Sequence, residues 1–397
     1  MINALWLTSW YPNKLDAMNG DFIQRHARAV SLCANVTVIH AEPDFTHSMK
    51  GVVSITEAKN LKEIITYYPV SKNNLIISRF ITGMRYKKIM KAQVKKYIRE
   101  NGLPGIVHVH VPMKAGIIAL WLKKKYAIPF VVTEHWAIYN NEATDKFSSR
   151  NFLFKSYTKK ILNECSLFLP VSDHLGKAVN RIVTKVAGKP IPNVADTHLF
   201  FYKKKNDADT NIFTFIHVST MKFQKNPRGI IKAFSLFIKE NTFSKLVMVG
   251  ENFEAIAAYA TDLKIPAENI EFTGLLSYPE VAQKMKNSDA FILLSRFENL
   301  PCVIIEALCC GLPVISTNVG GIAELINESN GLLIKSEDEN ALLESMKKMY
   351  SSYSNIDREN ISAEAISKYN YETIGKEICG VYEEVIKAGT KHSSGTP

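Results

Sequence analysis

The alternation of apolar and polar positions predicts an α/β chain throughout. Short apolar runs bounded by turn-forming residues are typical of buried strands, and each run is followed by about a dozen residues with helical spacing. Five such runs fall in the first half of the chain, at Ala4–Thr8, Val36–His40, Ile106–Val109, Phe130–Thr133 and Leu167–Val171. Five more fall in the second half, at Thr214–Val218, Lys245–Val249, Ile270–Thr273, Ala290–Leu294 and Val314–Thr317. We therefore predict two Rossmann-like, doubly wound parallel sheets, in which ligands sit at the carboxyl ends of strands.

The boundary between the two halves is predicted at Pro190–Asn193, where prolines interrupt the pattern, and a polar run follows at Lys203–Asp209. We expect two domains, a last helix and a disordered tail, because the final residues are polar and terminal. The predicted bounds of these parts are residues 1–195, 210–371, Glu372–Lys387 and 389–397.

The composition indicates a soluble protein with a large core, since 46% of the 397 residues are hydrophobic and 22% are charged. No apolar run is long enough to cross a bilayer. The first residues, Met1–Leu7, have the pattern of a strand and not of a signal peptide. The six cysteines show no C-x-x-C spacing and lie mostly in apolar segments, so we expect free buried thiols. These features together favour a cytoplasmic protein.

Basic residues are concentrated in the first half of the chain. The formal net charge is +11, but residues 1–200 hold 28 Lys and Arg against 13 Asp and Glu. Eight of these cations lie in the amphipathic stretch Arg79–Arg99. The stretch is either a solvated helix packed on the core or a surface for an anionic inner-membrane face or a lipid-phosphate acceptor. The cations of that surface would be Arg85, Lys87, Lys88, Lys91, Lys95 and Lys96.

Two glutamates, Glu298 and Glu306, lie eight positions apart in the segment Phe297–Pro313. Pro301 suits the first turn of a helix and Gly311 marks its end. The helix between them is almost wholly apolar and should be buried, which makes Glu306 costly unless something hydrogen-bonds it. No Lys or Arg lies within four residues of Glu306, so its partner must come from elsewhere in the fold or from a ligand hydroxyl.

This segment resembles the E-x7-E signature of the retaining family 4 glycosyltransferases, which have the two-domain GT-B fold. Its flanks, Asp289–Ser295 before it and Pro313–Gly321 with a Gly-Gly turn after it, are similar to the family's flanking strands. The resemblance covers most of residues 1–385 and is strongest over Thr214–Ile334. It implies that the terminal helix, residues 372–388, crosses back onto the first domain.

The resemblance implies that the second domain binds a nucleotide-sugar donor. Glu298 would contact the donor sugar, Glu306 the ribose and Lys225 the leaving diphosphate. The remaining donor-binding positions would be Ser219, Thr220, Gly274, Leu275, Asn299 and Leu300.

Thr220 departs from the family pattern, which has an arginine there as a second cation for the phosphates. Either the hydroxyls of Ser219 and Thr220 substitute for it or another basic residue does. The family recognises the base through the backbone at the turn that matches Gly274–Leu275, which leaves the choice between UDP and GDP open.

On the first domain, the resemblance implies that the Gly20 loop faces the donor diphosphate, although a turn with a helix cap is the alternative. His135 would orient the sugar hydroxyls, or else be a satisfied structural histidine. His110 and Glu134 would line the acceptor side of the cleft. His108 shares a strand face with His110, but no third ligand accompanies them, so no metal is predicted.

The sequence as a whole predicts a cytoplasmic hexosyltransferase, peripheral on the inner membrane face, that needs neither a cofactor nor a metal. Its partners would be a UDP- or GDP-sugar and a glycan or lipid-linked acceptor. The D-x-D triplet Asp207–Asp209 lies in a Lys-rich linker and is interpreted as solvated. Nucleic acid is not expected, because no binding motif accompanies the charge. A GT-B-fold UDP-sugar epimerase and an inactive sugar-nucleotide-binding partner of a transferase remain as alternatives.

Overall fold

A computed structural model describes residues 1–49, 51–70, 76–205 and 212–393. Within these ranges the chain forms thirteen strands and twelve helices. The strands are β1 (Ile2–Thr8), β2 (Ala34–Asp44), β3 (Val53–Ala58), β4 (Leu61–Pro69), β5 (Ile106–His110), β6 (Phe130–Glu134), β7 (Leu167–Pro170), β8 (Phe213–Val218), β9 (Ser244–Val249), β10 (Ile270–Gly274), β11 (Ala290–Leu293), β12 (Val314–Thr317) and β13 (Gly331–Ile334). The helices are α1 (Asp21–Val30), α2 (Ile76–Asn101), α3 (Pro112–Tyr126), α4 (Phe152–Glu164), α5 (Asp173–Ile182), α6 (Pro227–Phe237), α7 (Glu254–Asp262), α8 (Tyr278–Lys286), α9 (Cys302–Cys309), α10 (Glu339–Ser352), α11 (Arg358–Tyr369) and α12 (Tyr371–Ser393).

The strands form two sheets, with the orders β3-β4-β2-β1-β5-β6-β7 and β10-β9-β8-β11-β12-β13. Neighbouring strands are parallel except for β3 and β4, which pair antiparallel at the edge of the first sheet. The predicted class, two doubly wound Rossmann-like domains, is confirmed, and all ten predicted strands are present. The sequence patterns missed β3, β4 and β13. β3 is largely exposed and carries no apolar run, Lys62 and Glu63 interrupt the start of β4, and β13 is a short run that begins with Gly331.

Both faces of the first sheet are covered by helices. Ala4 and Trp6 of β1 pack with α1 and α12, whereas Leu5 and Leu7 point the other way and pack with α2 and α3. Because successive side chains of a strand point to opposite faces, a continuous apolar run such as Ala4–Leu7 requires this double cover.

Helix α12 lies on the first sheet beside α1, although it follows the second domain in the chain. Gly375 lets the two helices approach closely, because a Cβ at this position would lie 2.2 Å from the carbonyl oxygen of Ala29. The helix runs six residues beyond its predicted end at Lys387. Residues 389–393, predicted to belong to a disordered tail, are therefore helical, because the helical pattern simply continues; residues 394–397 lie outside the described part of the chain.

The packing of α12 on α1 also corrects the expectation about the cysteines. Cys33, just after α1, and Cys379, within α12, form a disulfide with their Cα atoms 6.6 Å apart. Their separation of 346 residues hides this pairing from any local sequence pattern. The other four cysteines are free thiols, at Cys165, Cys302, Cys309 and Cys310.

Across the described ranges, no helix combines the length and the apolar character that crossing a membrane would need.

Candidate active site between the two domains

The predicted site residues lie in loops at the carboxyl ends of strands, where the two sheets face each other. Glu298 lies in the loop between β11 and α9, and Ser219 follows β8. From the first domain, His135 follows β6, and Gly20 ends the long loop after β1. Parallel sheets expose their loops at this edge, so the two domains bring their candidate residues into one cleft.

Glu298 is buried and hydrogen-bonded at the start of α9. Its Oε1 accepts from Ser295 Oγ at 2.8 Å and forms an ion pair with Lys225 Nζ. Lys225 ends a short 3-10 turn just before α6, and about one fifth of its side chain is exposed. The first amide groups of α9 have no partner inside the helix and favour an anion. A carboxylate and a cation thus meet in the loop that leads into α9.

Gly320, in the predicted Gly-Gly turn, allows the backbone to approach this loop. Its φ of 61° is unfavourable for other residues, and a Cβ there would lie 2.0 Å from the carbonyl oxygen of Glu298. The N–H of the next residue, Gly321, donates to the carbonyl oxygen of Asn299 at 2.7 Å. The turn therefore supports the loop that carries Glu298.

Glu306 sits in the middle of α9 and is buried, as its apolar surroundings predicted. Its partner is Arg25 of α1, whose Nη1 donates to Glu306 Oε1 across the cleft. Arg25 Nη2 also donates to Asp21 Oδ2 at 3.0 Å, one turn earlier on the same helix. Burial raises the pKa of Glu306, and the Arg25 guanidinium opposes that shift. Arg25 keeps its charge, since the neighbouring anions outweigh burial and raise its pKa further.

A second contact between the domains accompanies this ion pair. The hydroxyl of Tyr278, at the start of α8, donates to Asp21 Oδ2, and its ring lies 5.3 Å from the guanidinium carbon of Arg25. Helix α1 begins here because Gly20 adopts φ 69°, and a Cβ on Gly20 would approach Trp10 to 2.9 Å. The Gly20 turn therefore aims the first two turns of α1 at the second domain.

Three asparagines join the two domains through the loop after Glu298. Asn140 Nδ2 donates to the Glu298 carbonyl at 2.9 Å, and Asn193 Nδ2 donates to the Leu300 carbonyl at 2.7 Å. In the opposite direction, Asn299 Nδ2 donates to the His135 carbonyl at 2.7 Å. Asn299 and Leu300, both predicted to bind the donor, thus hold this loop against the first domain.

The two hydroxyl residues in the loop after β8, Ser219 and Thr220, lie in different environments. Ser219 Oγ lies 2.7 Å from His217 Nε2 and accepts from the Met221 amide at 2.9 Å, so this hydroxyl is already engaged. Thr220 is exposed, and its carbonyl accepts from Asn252 Nδ2 at 3.2 Å. Gly274 closes β10 and accepts from the Gly250 amide at 2.9 Å, while the side chain of Leu275 beyond it is 66% exposed.

The histidines of the first domain form a buried cluster of rings. His110 stacks on Trp6 with ring centroids 4.1 Å apart, and its Nδ1 lies 3.3 Å from His135 Nε2. His108 bonds Tyr382 Oη at 2.6 Å, and His26 bonds the Pro192 carbonyl at 3.0 Å. Burial lowers the pKa of all four histidines, to about 4 for His26, so the cluster is neutral at pH 7.

Two predictions for the first domain are corrected by this geometry. His110 was expected to face the cleft, but it is fully buried, because β5 is a central strand whose side chains all lie under helices. Glu134 was expected on the acceptor side, but its carboxylate accepts from the amides of His135 and Trp136 and from the Tyr139 hydroxyl. Burial raises the pKa of Glu134 to about 7. His135 is the member of this group that is partly exposed.

The basic stretch is the long helix α2. Some apolar residues of this helix are buried and others are exposed. Tyr86, Met90, Val94 and Tyr97 pack into the core, whereas the apolar residues nearer its start are exposed, namely Phe80 (67%), Ile81 (40%) and Met84 (49%). Five of the six predicted surface cations are exposed: Arg85, Lys87, Lys88, Lys95 and Lys96. The sixth, Lys91, is half-buried with its ammonium 5.0 Å from the Trp121 ring.

Within the described ranges, no three side chains among His, Cys, Asp and Glu are arranged to hold a metal ion. The Asp207–Asp209 triplet lies outside the described residues.

Residues that join the domains were the ones sequence reasoning missed. Arg25, Asp21 and Tyr278 had no assigned role, and neither had Asn140. One signal was available, since Asp21 and Arg25 are spaced i, i+4 directly behind Gly20, which places both on one helix face.

Comparisons with known proteins agree with this architecture. A family model described as "Glycosyl transferases group 1" matches residues 200–371, and one described as "Glycosyltransferase Family 4" matches residues 34–199. A relative in Bacillus subtilis (strain 168), named "Putative teichuronic acid biosynthesis glycosyltransferase TuaC", is 24% identical over 98% of this chain and 94% of its own.

Two solved structures share the fold. Sucrose-phosphate synthase from Thermosynechococcus elongatus superposes with a TM-score of 0.78 at 17% identity, over 97% of this chain and 100% of its own. HepE from Anabaena, in complex with UDP, superposes with a TM-score of 0.71 at 16% identity, over 96% of this chain and 100% of its own. The chain belongs to the family 4 glycosyltransferases of the GT-B fold, since the two family models together span residues 34–371.

Proposed function

We propose that this glycosyltransferase moves a hexose from a UDP- or GDP-sugar to a glycan or lipid-linked saccharide in polysaccharide biosynthesis, with retention of the anomeric configuration. The carrying observation is the ion pair of Glu298 with Lys225 in the cleft, in the loop that leads into the N-terminus of α9. A sugar diphosphate needs a hydrogen-bond acceptor for its hydroxyls and positive charge for its phosphates. The Glu298 carboxylate supplies the acceptor and the Lys225 ammonium supplies the positive charge, and the two lie within ion-pair distance of each other.

The chemistry is a displacement at the anomeric carbon. The bond between this carbon and the phosphate oxygen breaks, and the electron pair leaves with the nucleoside diphosphate. Lys225 and the α9 amides stabilise the charge that develops on the leaving group. The acceptor hydroxyl bonds to the same face of the sugar, and its proton passes to the departing phosphate.

No step of this reaction uses a protein nucleophile or a metal. Glu298 orients the sugar, and Glu306 holds the ribose hydroxyls. His135, partly exposed at the end of β6, lines the cleft from the first domain. Ser219 supports its loop, because its hydroxyl is taken by His217 and the Met221 amide.

The names of similar proteins support this donor and acceptor class. HepE binds UDP, and the named role of TuaC is teichuronic acid biosynthesis. Because many acceptors of such polymers are lipid-linked, we place the enzyme in the cytoplasm, peripheral on the inner membrane face. The exposed apolar residues and cations at the start of α2 are its membrane surface.

A donor screen tests the proposal. The purified chain is incubated with UDP- and GDP-sugars, with and without lipid-linked saccharide, and released UDP or GDP is measured. Acceptor-dependent release from one donor is expected, and NMR of the product should show the donor's anomeric configuration. Interconversion of the donor without acceptor would instead mean an epimerase, and binding without any turnover would mean an inactive partner.

A further inference from the structure

Arg25 is an unusual residue for the wall of a cleft, because it is a buried cation that pairs both with Asp21 of its own helix and with Glu306 of the other domain. Only 8% of its side chain is exposed, and Glu306 across the cleft is equally enclosed at 6%. Its Nε has no hydrogen-bond partner among the described residues. A buried guanidinium with a free donor is costly unless another acceptor arrives.

Four charged groups converge on the first turn of α9. Burial raises the pKa of the Cys302 thiol in that turn to about 12. The charged groups that interact with this thiol are Arg25, Glu306, Asp21 and Lys225. Two of the four are cations and two are carboxylates, and Glu298 adds a third carboxylate through Lys225. Both cations of this cluster are therefore already paired with carboxylates.

A nucleotide that enters this cluster changes the balance. Ribose hydroxyls donate hydrogen bonds to Glu306 and compete with Arg25 for its oxygens. The diphosphate adds negative charge beside the same turn of α9, where Lys225 is one cation. The exposed side chain at position 220 is a neutral threonine. The guanidinium keeps its bond from Nη2 to Asp21, but its Nη1 and Nε then lie in a buried cleft without an acceptor and need a new anion.

We propose that Arg25 changes partner during donor binding: it pairs with Glu306 in the empty cleft and with the donor's diphosphate once ribose takes Glu306. The inference rests on the proposed function, because it assumes a nucleoside diphosphate donor. Arg25 is then a donor-binding residue supplied by the opposite domain. Since the bond to Glu306 and the Asp21–Tyr278 contact both cross the cleft at this point, donor binding also exchanges one domain-closing contact for another.

The test compares ligands that differ only in phosphate. Binding of uridine, UMP and UDP, and of the guanosine series in parallel, is measured by calorimetry for wild type, Arg25→Leu and Arg25→Gln. Both variants should bind the diphosphate about tenfold or more weakly, as expected for a lost charge-assisted contact, and bind the nucleoside nearly as well as wild type. Glu306→Gln should instead weaken nucleoside and diphosphate by the same factor.

Arg28→Leu is the matched control, because Arg28 lies one turn further along α1 and is exposed. It should leave all affinities unchanged. Arg25→Gln guards against misfolding of the leucine variant, since glutamine can still donate to Glu306. Tighter diphosphate binding in both Arg25 variants would show that Arg25 only obstructs Glu306 and would overturn the proposal, as would equal losses for nucleoside and diphosphate. If wild type binds neither UDP nor GDP, the proposed function itself fails.

Discussion

Behind the cleft surface of the first domain lies a stack of buried histidine rings, of which only His135 is partly exposed, whereas the second domain presents carboxylates held by cations. His110 and His135 are neutral because burial lowers the pKa of each. Glu298, in contrast, is paired with Lys225 in its own domain. The first face therefore offers shape and weak hydrogen bonds, and the second offers charge.

One residue, Arg25, is an exception to this contrast in charge between the two domains. Arg25 is the cation that the first domain contributes, and it pairs with Glu306 of the second domain as well as with Asp21 of its own helix. The charges that the proposed function assigns to a sugar diphosphate thus lie around α9, and the first domain contributes one cation to them. Four measurements sharpen or break this contrast between a charged face and a neutral one.

Removing the Glu298 carboxylate, which the proposed function places against the donor sugar, should have the largest effect. Glu298→Gln keeps the shape of the side chain but loses the charge, so we expect transfer to fall by about 100-fold or more in kcat, because the contact matters most as the glycosidic bond breaks. Released nucleoside diphosphate is the measurement. Glu328→Gln, on an exposed turn of the same domain, is the control. A kcat within about threefold of wild type, below about 1 kcal/mol of barrier, would remove Glu298 from the site.

Lys225→Ala should cost on the order of 2–4 kcal/mol in kcat/KM, as for other removed anion stabilisers. Lys222→Ala changes an exposed lysine three residues earlier and should be silent. Thr220→Arg restores the family's usual cation and should recover part of the loss. If Lys225→Ala also leaves kcat/KM unchanged, other residues neutralise the phosphates, and the charged face of the cleft does not include Lys225.

Acid should destabilise the first domain before the second. Burial lowers the pKa of His26 from 6.5 to about 4, so between these values the unfolded chain holds a proton that the folded chain lacks. The free energy of unfolding therefore falls as pH drops from 6.5 to 4, by on the order of 3 kcal/mol for this one group. Four such histidines lie in the first domain, and in the second domain His217 shows the same lowering of its pKa to about 4.

Glu134 acts in the opposite sense. Its pKa is raised to about 7, so it lowers stability as pH rises from 4.5 to 7 and offsets part of the histidine effect. Hydrogen exchange followed by mass spectrometry separates the two domains and should show earlier loss of protection in the first. His110→Phe should flatten this acid slope, and the exposed His198→Phe should not. Simultaneous loss of protection in both domains would contradict the comparison.

The smallest effect per residue is expected for the exposed lysines along α2. Each exposed cation contributes about 1 kcal/mol to binding an anionic surface at low salt, attenuated as salt rises. Changing Lys87, Lys88 and Lys95 to Glu should therefore reduce co-sedimentation with anionic vesicles while UDP or GDP binding is kept. The same change at Lys239, Lys348 and Lys368 of the second domain is the matched control. Wild type that ignores such vesicles at low salt would mean that α2 is a solvated helix and that the acceptor is soluble.

Local patterns were enough for the architecture and for half of the site. Ten apolar runs predicted ten strands, because a strand buried on both faces must be apolar along its length. The buried position of Glu306 and its need for a distant partner followed from the apolar helix around it. The edge strand β3 was missed, because an exposed edge strand need not be apolar on both faces. Its neighbour β4 was missed because Lys62 and Glu63 interrupt its apolar residues.

Tertiary structure alone decided which groups meet. The partner of Glu306 is 281 positions away, and the partner of Cys33 is 346 positions away. It also decided that His110 and Glu134 are enclosed, since a strand's register says which side chains share a face but not which helix covers them. The sequence determined the two sheets because short-range periodicity reflects burial. The pairing of charges across the cleft depends on how the two sheets face each other and on the return of α12 to the first domain, which no short-range pattern encodes.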